Sequence, residues 1–356
     1  MKNCWTISFF VILFACGEKP SEFLVLPVDI SQNYPVSLSE ITEELKSIEL
    51  EMTDESLISS IHRVLDCGDY LLISNAWPMK IMLFNKEGKF IHTISSQGQG
   101  PGEYSFLREI AADPENKRIY IAADMKLMCY DFDNRFIKEV LLPRSIEYMV
   151  YNNNELIYVI TSRQENESEG GIHYQAMLYK ADKDFHIKDS MEVKNFLLDK
   201  TNNRTTSINS YLSCTGKNTY MYYPVGARET FLRDTLYKFG NDHFIPDLRL
   251  KFSDEEVYNE NGVMTRFIYT IYRSSRYVFA RHRTREKGPF YYWYDMKTGE
   301  GYNMEKGFRD DIYTGEIVPI YSFAPDSEKF YYYYTKINDV DKDEPNPTLY
   351  IGELKK

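Results

Sequence analysis

Three glycines in the segment GQGPGEY (Gly98, Gly100 and Gly102) permit positive φ and a close approach of backbone to a ligand, and Pro101 stiffens the turn between them. A loop that cradles phosphate needs a helix N-terminus or a Lys-Ser/Thr pair directly afterwards. Glu103 and Tyr104 follow instead, and a carboxylate beside the loop disfavours an anion, so the segment is expected to be a structural crossover. Asp339, Asp341 and Asp343 alternate as calcium ligands do, but an EF-type loop would carry a glycine where Glu344 stands and a glutamate where Tyr350 stands, so a solvated loop is expected. The basic stretch from Arg276 to Lys287 is richer. Read as a strand, it puts Tyr277, Phe279, Arg281 and Arg283 on one side and Arg276, Val278, Ala280 and His282 on the other. Arg281 or Arg283 could then offer a guanidinium fork to a carboxylate, sulfate or phosphate. The preferred expectation is plainer: an exposed strand end whose charges neutralise nearby acidic loops. The histidines (His62, His92, His173, His186, His243 and His282) form no HExxH and no i, i+4 pair, whereas a zinc site needs three or four converging ligands. Neither a GxSxG elbow nor a Cys-His pattern is present. No catalytic residue, metal ligand or cofactor is assigned, and a divalent metal held in a central channel stays as the open alternative.

The elements that must position these residues announce themselves by repetition. Tyr70 to Ile94 and Arg118 to Val140 say nearly the same thing twice, with the glycine segment between them. Each copy runs strand, polar turn, strand ending in an aromatic plus an acidic or amide residue, tight turn, strand; this is a propeller-blade unit. Aligning on the aromatic that ends each third strand gives Phe84, Tyr130, Tyr179, Tyr237, Tyr294 and Tyr350, about 46 to 58 residues apart. Turn residues follow most of them: Lys86 to Lys89, Asp133 to Arg135, Asp182 to Asp184, Gly240 to Asp242 and Lys297 to Gly299. The expected fold is all-β, a six-bladed β-propeller of four-stranded antiparallel blades. The sixth unit runs out of chain after its third strand, Thr348 to Leu354, which would leave an open edge. The alternating segment SIELEM, Ser47 to Met52, is expected to supply the missing fourth strand and close the ring. Ser37 to Leu45 is expected to form a short helix or turn.

Composition bounds the rest. A net charge of −11 with dispersed Lys and Arg excludes the basic footprint that nucleic acid requires. Thirty tyrosines and 21 phenylalanines suit half-buried pleated surfaces, and tyrosine-rich surfaces also suit sugars. Lys2, the apolar stretch Trp5 to Phe14 and the ending Leu13-Phe14-Ala15-Cys16 have the shape of a secretory signal that is too short to span a bilayer. The ending resembles a bacterial lipobox, which implies lipid attachment at Cys16; an ordinary signal peptide is the alternative. The expected division is a signal peptide over 1–15, a membrane tether over 16–35 and the propeller over 36–356. Cys67, Cys129 and Cys214 lie in apolar stretches and read as buried thiols, with one disulfide left open.

The residues SQGQGPGEYSFLREIAADPENKRIYIAADMKLMCYDFDNRFIKEV, Ser96 to Val140, carry a resemblance to the six-bladed lipoprotein propellers of Bacteroidetes-type bacteria, which are similar to NHL-repeat propellers; LRDTLYKF, Leu232 to Phe239, resembles the fourth blade of that family. The resemblance implies the fold and an envelope location, lipid-anchored to the outer membrane, but fold does not carry activity with it. In propellers the loops joining second to third strands share a face with the blade crossovers, and ligands bind there. Those loops are expected at Asn75 to Met79, Ala123 to Lys126, Arg163 to Tyr174, Gly226 to Arg233, His282 to Pro289 and Ile337 to Pro347. Trp77, Arg163, Arg228 and Arg281 are the candidate contact residues. The expected function is a non-catalytic scaffold that binds an envelope protein or a glycan through this face. The alternatives are a metal-dependent lyase or hydrolase of the kind some NHL-like propellers are, and a structural subunit of an outer-membrane assembly.

Overall fold

Strands such as YLLISN and KIMLFN are apolar almost throughout, where a strand with one wet face would alternate. The computed structural model, which describes residues 23–31, 33–166, 171–199, 212–223, 233–240, 243–253, 265–284, 287–335 and 345–356, gives the reason. Leu71 and Ile73 face one neighbouring blade while Leu72 faces the other, so both sides of the strand are buried.

The chain begins with β1 (Leu24–Val28), a four-residue helix α1 (Leu38–Ile41) and β2 (Thr42–Glu49). Six blades follow. Blade 1 is β3 (Ile61–Cys67), β4 (Tyr70–Asn75), β5 (Lys80–Asn85) and β6 (Phe90–Thr93). Blade 2 is β7 (Leu107–Asp113), β8 (Arg118–Ala123), β9 (Lys126–Asp131) and β10 (Phe136–Leu141). Blade 3 is β11 (Ile146–Asn152), β12 (Glu155–Asn166), β13 (Gly171–Ala181) and β14 (Ile187–Asp199). Blade 4 is β15 (Leu212–Thr215), β16 (Asn218–Met221), β17 (Thr235–Phe239) and β18 (Phe244–Phe252). Blade 5 is β19 (Arg266–Arg273), β20 (Tyr277–Thr284), β21 (Phe290–Asp295) and β22 (Glu300–Glu305). A small hairpin, β23 (Phe308–Arg309) and β24 (Ile317–Val318), leads into blade 6, made of β25 (Tyr321–Ser322), β26 (Lys329–Tyr334) and β27 (Thr348–Leu354) with β2 as its outermost strand. The fold is a six-bladed β-propeller, and every marker aromatic from Phe84 to Tyr350 lies on the third strand of its blade.

An acidic or amide residue where the third strand ends, directly after the marker in blades 1 and 2 and three residues after it in blade 3, has a definite task. Asn85 Oδ1 accepts the amides of Glu87 and Lys89, Asp131 Oδ1 those of Asp133 and Arg135, and Asp182 Oδ1 those of Asp184 and His186, all at 2.8–3.1 Å. Each side chain thereby satisfies the turn's own donors and sets the reversal into the outer strand. Among the described residues, the buried apolar side chains gather into clusters, one between each neighbouring pair of blades, including the pair formed by blades 6 and 1. Cys67, Cys129 and Cys214 lie free within them, and burial pushes their thiols up to about 12, 11 and 12.

Closure differs from expectation in register. The closing strand runs over Thr42–Glu49, not Ser47 to Met52, and pairs antiparallel with β27 from Thr42↔Leu354 to Glu49↔Thr348. It starts early because α1 ends at Ile41, and it ends early because the chain then turns toward blade 1, where the Glu51 amide donates to the Gly88 carbonyl at 2.9 Å. The reading of 16–35 as a tether is corrected at Leu24–Val28. That segment adds to blade 4 as a fifth strand, parallel to β18, with Leu26 and Val28 fully buried. Pro27 is tolerated because β1 is an edge strand. The chain then touches blade 5 through Asn33 and Asn303 before reaching blade 6. Arg163 to Tyr174 is corrected as well: β12 and β13 stay paired through Arg163↔Tyr174 to Asn166↔Gly171, so most of the expected loop is hairpin. GQGPGEY is the crossover from β6 to β7. Glu103 folds back to accept the Gly100 amide at 2.8 Å, and Gly102 holds φ +76° where an added Cβ would lie 2.4 Å from the Tyr130 hydroxyl.

Candidate functional site

The inner strands carry more polar chemistry than their apolar neighbours suggest. Arg63 on β3 and Glu109 on β7 form a buried two-point ion pair, Nε to Oε1 at 3.1 Å and Nη2 to Oε2 at 2.6 Å, and the guanidinium lies 4.9 Å from the Tyr148 ring centre on β11. Beside this pair a cavity of about 450 Å3 opens among blades 5, 6 and 1. Ser60, His62 and Ala76, all exposed, belong to its rim on blade 1. Its walls include Tyr269, Thr270 and Tyr272 from β19, Arg281 from β20, Tyr291 from β21, and Tyr321, Ser322, Tyr331 and Tyr333 from blade 6.

Strand alternation delivers these groups. On β20, Phe279 and Arg281 point one way while Val278, Ala280 and His282 turn toward the other side. On β26, Tyr331 and Tyr333 line the cavity while Phe330 and Tyr332 pack into the cluster with blade 5. Blade 6 leaves the space for them. Its innermost strand β25 is two residues long, where β3 has seven and β19 has eight; it pairs with β26 at Phe330 and Tyr331, and the Phe323 amide just past it donates to the Lys329 carbonyl at 3.1 Å.

Arg281 is the centre of the site. Its guanidinium stands 5.4 Å from the Tyr269 ring centre and 5.7 Å from that of Tyr291, and its Nε is buried with no hydrogen-bond partner among the described residues. Arg283, two residues on, stands over Phe267 and Tyr269 at 5.3 and 5.8 Å. Arg276 binds Asp295, a buried residue at the end of β21, at 2.6 Å, whereas Arg281 is held by ring faces. Among the described residues that line the cavity, none is an Asp or Glu. Glu109, which meets the cavity-lining Arg63, is committed to that ion pair. Buried tyrosines stay protonated: desolvation raises Tyr272, Tyr291 and Tyr331, and pushes Tyr321 up to about 12. The Tyr272 hydroxyl is buried without a partner among the described residues.

The other expected contact residues fall differently. Trp77, 70% exposed, sits next to Ala76 at the rim, and its carbonyl accepts the Ser59 hydroxyl. Arg163 is on β12 of blade 3, away from the cavity, with its side chain outside the described residues. Arg228, Cys16 and the Asp339 to Asp343 run lie outside the described residues. His282 is buried on the far face of β20, where Nε2 meets Asn303 Oδ1 at 2.8 Å between Phe252 and Phe290, and burial drives it down to about 4. Among the described residues, no group of three or more His, Cys, Asp or Glu side chains could hold a metal ion, and no helix is long and apolar enough to cross a membrane. The cavity tyrosines went unnamed in the sequence; runs such as KFYYYY and FYYWYD hint at them without saying which face looks inward.

A family model described as a domain of unknown function, DUF4934, matches residues 23–356. The chain belongs to this family. The match starts at Phe23, just before β1, so the family's extent includes the added strand of blade 4. No curated protein matches the chain. Among solved structures, an exported protein from Bacteroides fragilis NCTC 9343 is similar with a TM-score of 0.65 and 18% identity, covering 93% of this chain and 100% of that one. The extracellular domain of a one-component system from B. thetaiotaomicron is similar at a TM-score of 0.42 and 11% identity, covering 85% of this chain and 36% of that one. At 18% identity the likeness to the exported protein is one of fold.

Proposed function

We propose that this DUF4934 protein is an exported, envelope-anchored propeller of NHL-like lipoprotein type, tethered through a lipid on Cys16, that works as a non-catalytic binding scaffold. Its ligand enters the loop-face cavity among blades 5, 6 and 1. The observation that carries this reading is Arg281, a cation in a concave, tyrosine-lined space with no carboxylate among the described residues that line it. Ligand sites are concave, of ~300–1,000 Å3, mostly apolar, with a few placed polar groups; a cavity of about 450 Å3 fits that description. Such a volume suits a glycan end or a small ligand better than a folded protein's broad surface. The N-terminal signal and the exported relative of matching length support an envelope location.

The test uses the purified protein on a printed panel of neutral and acidic oligosaccharides and short peptides, in parallel with a Ser60→Trp/Ala76→Trp variant. Both positions are exposed at the rim, so two indoles narrow the mouth without entering the core. Binding by the parent that the variant loses supports the cavity as the site. Binding that survives unchanged in the variant refutes it.

A further inference from the structure

We infer that the ligand of this cavity is an acidic sugar of one or two rings, its carboxylate received by Arg281. The inference rests on the binding-site reading above and adds the ligand's chemical class.

The sign of the site comes first. The chain carries a net charge of −11, yet the described residues that line this cavity include two arginines and no acid. Arg63 is matched by Glu109, so Arg281 is the cation that has no carboxylate beside it among the described residues. Arg281 is half-buried, but its Nε is out of water, and ring faces offset only part of the cost of an unpaired buried donor. Tyr269 and Tyr291 occupy positions near the guanidinium, while its buried Nε still lacks an acceptor. A carboxylate is the acceptor whose two oxygens match a guanidinium fork.

The rest of the lining selects the body attached to that carboxylate. Tyr321 and Tyr333 stack at 6.3 Å with 13° between planes, and Tyr331 lies 5.4 Å from Tyr321, so blade 6 offers a wall of rings. Ring faces accept the C–H face of a pyranose, as they accept any flat apolar surface with wet edges. Ser60 at the rim and the Tyr272 hydroxyl add donors and acceptors around that wall, with the Tyr272 hydroxyl unpartnered among the described residues. From Tyr332 to Tyr334, no described strand pairs with the inner edge of β26. A bare aromatic acid would satisfy the rings and Arg281 but leave the Tyr272 hydroxyl unmet. A neutral sugar would satisfy the hydroxyls and leave the arginine unmatched. A uronate satisfies both.

The experiment is calorimetric titration of the purified protein with digalacturonate, its dimethyl ester and the neutral parent disaccharide, repeated with Arg281→Leu and Arg281→Lys. The expected result is that digalacturonate binds at least tenfold tighter than its ester or the neutral sugar. Arg281→Leu should remove that preference, costing about tenfold to a hundredfold for the acid and little for the ester. Arg281→Lys should restore part of it, because the charge returns without the fork. The ester comparison needs no variant, so it stands even where a substitution disturbs folding. Equal affinity for acid and ester on the parent protein overturns the inference while leaving the cavity as a binding site. An absence of binding by digalacturonate at millimolar concentration overturns it too, and binding that the rim variant leaves untouched removes the underlying site reading.

Discussion

Replacing Glu109 by leucine should cost far more than one ion pair is ordinarily worth. The Arg63 side chain is 7% exposed and that of Glu109 2%, so neither charge can fall back on water when its partner goes. Removing one member of such a buried pair costs about 3–5 kcal/mol. Glu109 Oε1 also accepts the Ile110 amide at 3.0 Å, and orphaning that donor adds about 1–3 kcal/mol. The sum is about 4–8 kcal/mol, most of what a folded domain of ~5–15 kcal/mol has to lose. Arg63→Met should be similarly costly, because it leaves a carboxylate in the same place. The double variant removes both charges and should lose only about 1–3 kcal/mol, since apolar replacement of a whole buried pair is often close to neutral. The assay is urea unfolding followed by the fluorescence of the buried Trp293, with stabilities extrapolated to water. A loss below about 1 kcal/mol for Glu109→Leu would refute the reasoning. Strict additivity of the two single losses in the double variant would refute it as well, because coupled partners must show a cycle energy.

Deleting Lys46 to Met52 should destabilise the whole ring, because it strips half of the closing strand from β27 together with the buried Ile48 and Leu50, each contributing about 1.5–3 kcal/mol; a melting temperature equal to that of the parent would argue against ring closure by β2. His282 should make stability fall with acid. Its folded value of about 4 lies below the ordinary 6.5, so the unfolded chain binds the extra proton first and stability, complete above about pH 6.5, declines by up to about 3 kcal/mol as pH falls through 4. Urea midpoints measured between pH 7 and pH 4 should show that decline, and His282→Gln should flatten it; an identical slope in the variant would exonerate the histidine. Cys16→Ser should abolish incorporation of labelled palmitate in a lipoprotein-processing bacterial host and release the protein from the membrane fraction, whereas unaltered labelling would exclude Cys16 as the anchor.

The fold was legible because its repeating parts are local. A marker aromatic, an Asn or Asp that binds its own turn, and strands apolar on both faces can each be read from a few consecutive residues. The failures are of another kind. Leu24–Val28 has only five residues, one of them proline, and its partner Leu248–Phe252 lies more than two hundred residues away, so composition made it a tether. Arg163 to Tyr174 looked like a loop because the β12 side of its hairpin is polar, with Gln164 and Glu165 exposed, while on the β13 side only Ile172 and Tyr174 are buried apolar side chains among the described residues, too few to show an apolar period. Arg281 was named for its charge and its place on β20, both readable in sequence. Tyr269, Tyr321 and Tyr333 were not named, since a tyrosine on a strand is core by default until the neighbouring strand is known to stop short.

That shortness ties closure to the cavity. Blade 6 is assembled from both regions of the chain: β2 forms its outer edge from near one end, and β25 to β27 its interior from the other. A blade whose outer strand arrives from elsewhere fixes its position by the outer pairing, Thr42↔Leu354 through Glu49↔Thr348, and by the clusters on either side. Its inner strand then carries little of the burden, and here it shrinks to Tyr321 and Ser322. The space so released beside the channel is walled by tyrosines of the second strand, faced by Arg281 of blade 5 and floored near Arg63 of blade 1. A full-length inner strand in blade 6 would occupy that space with backbone. The site follows from the way the ring is joined: the polar, ring-lined opening lies where the blade held from outside has the least structure inside.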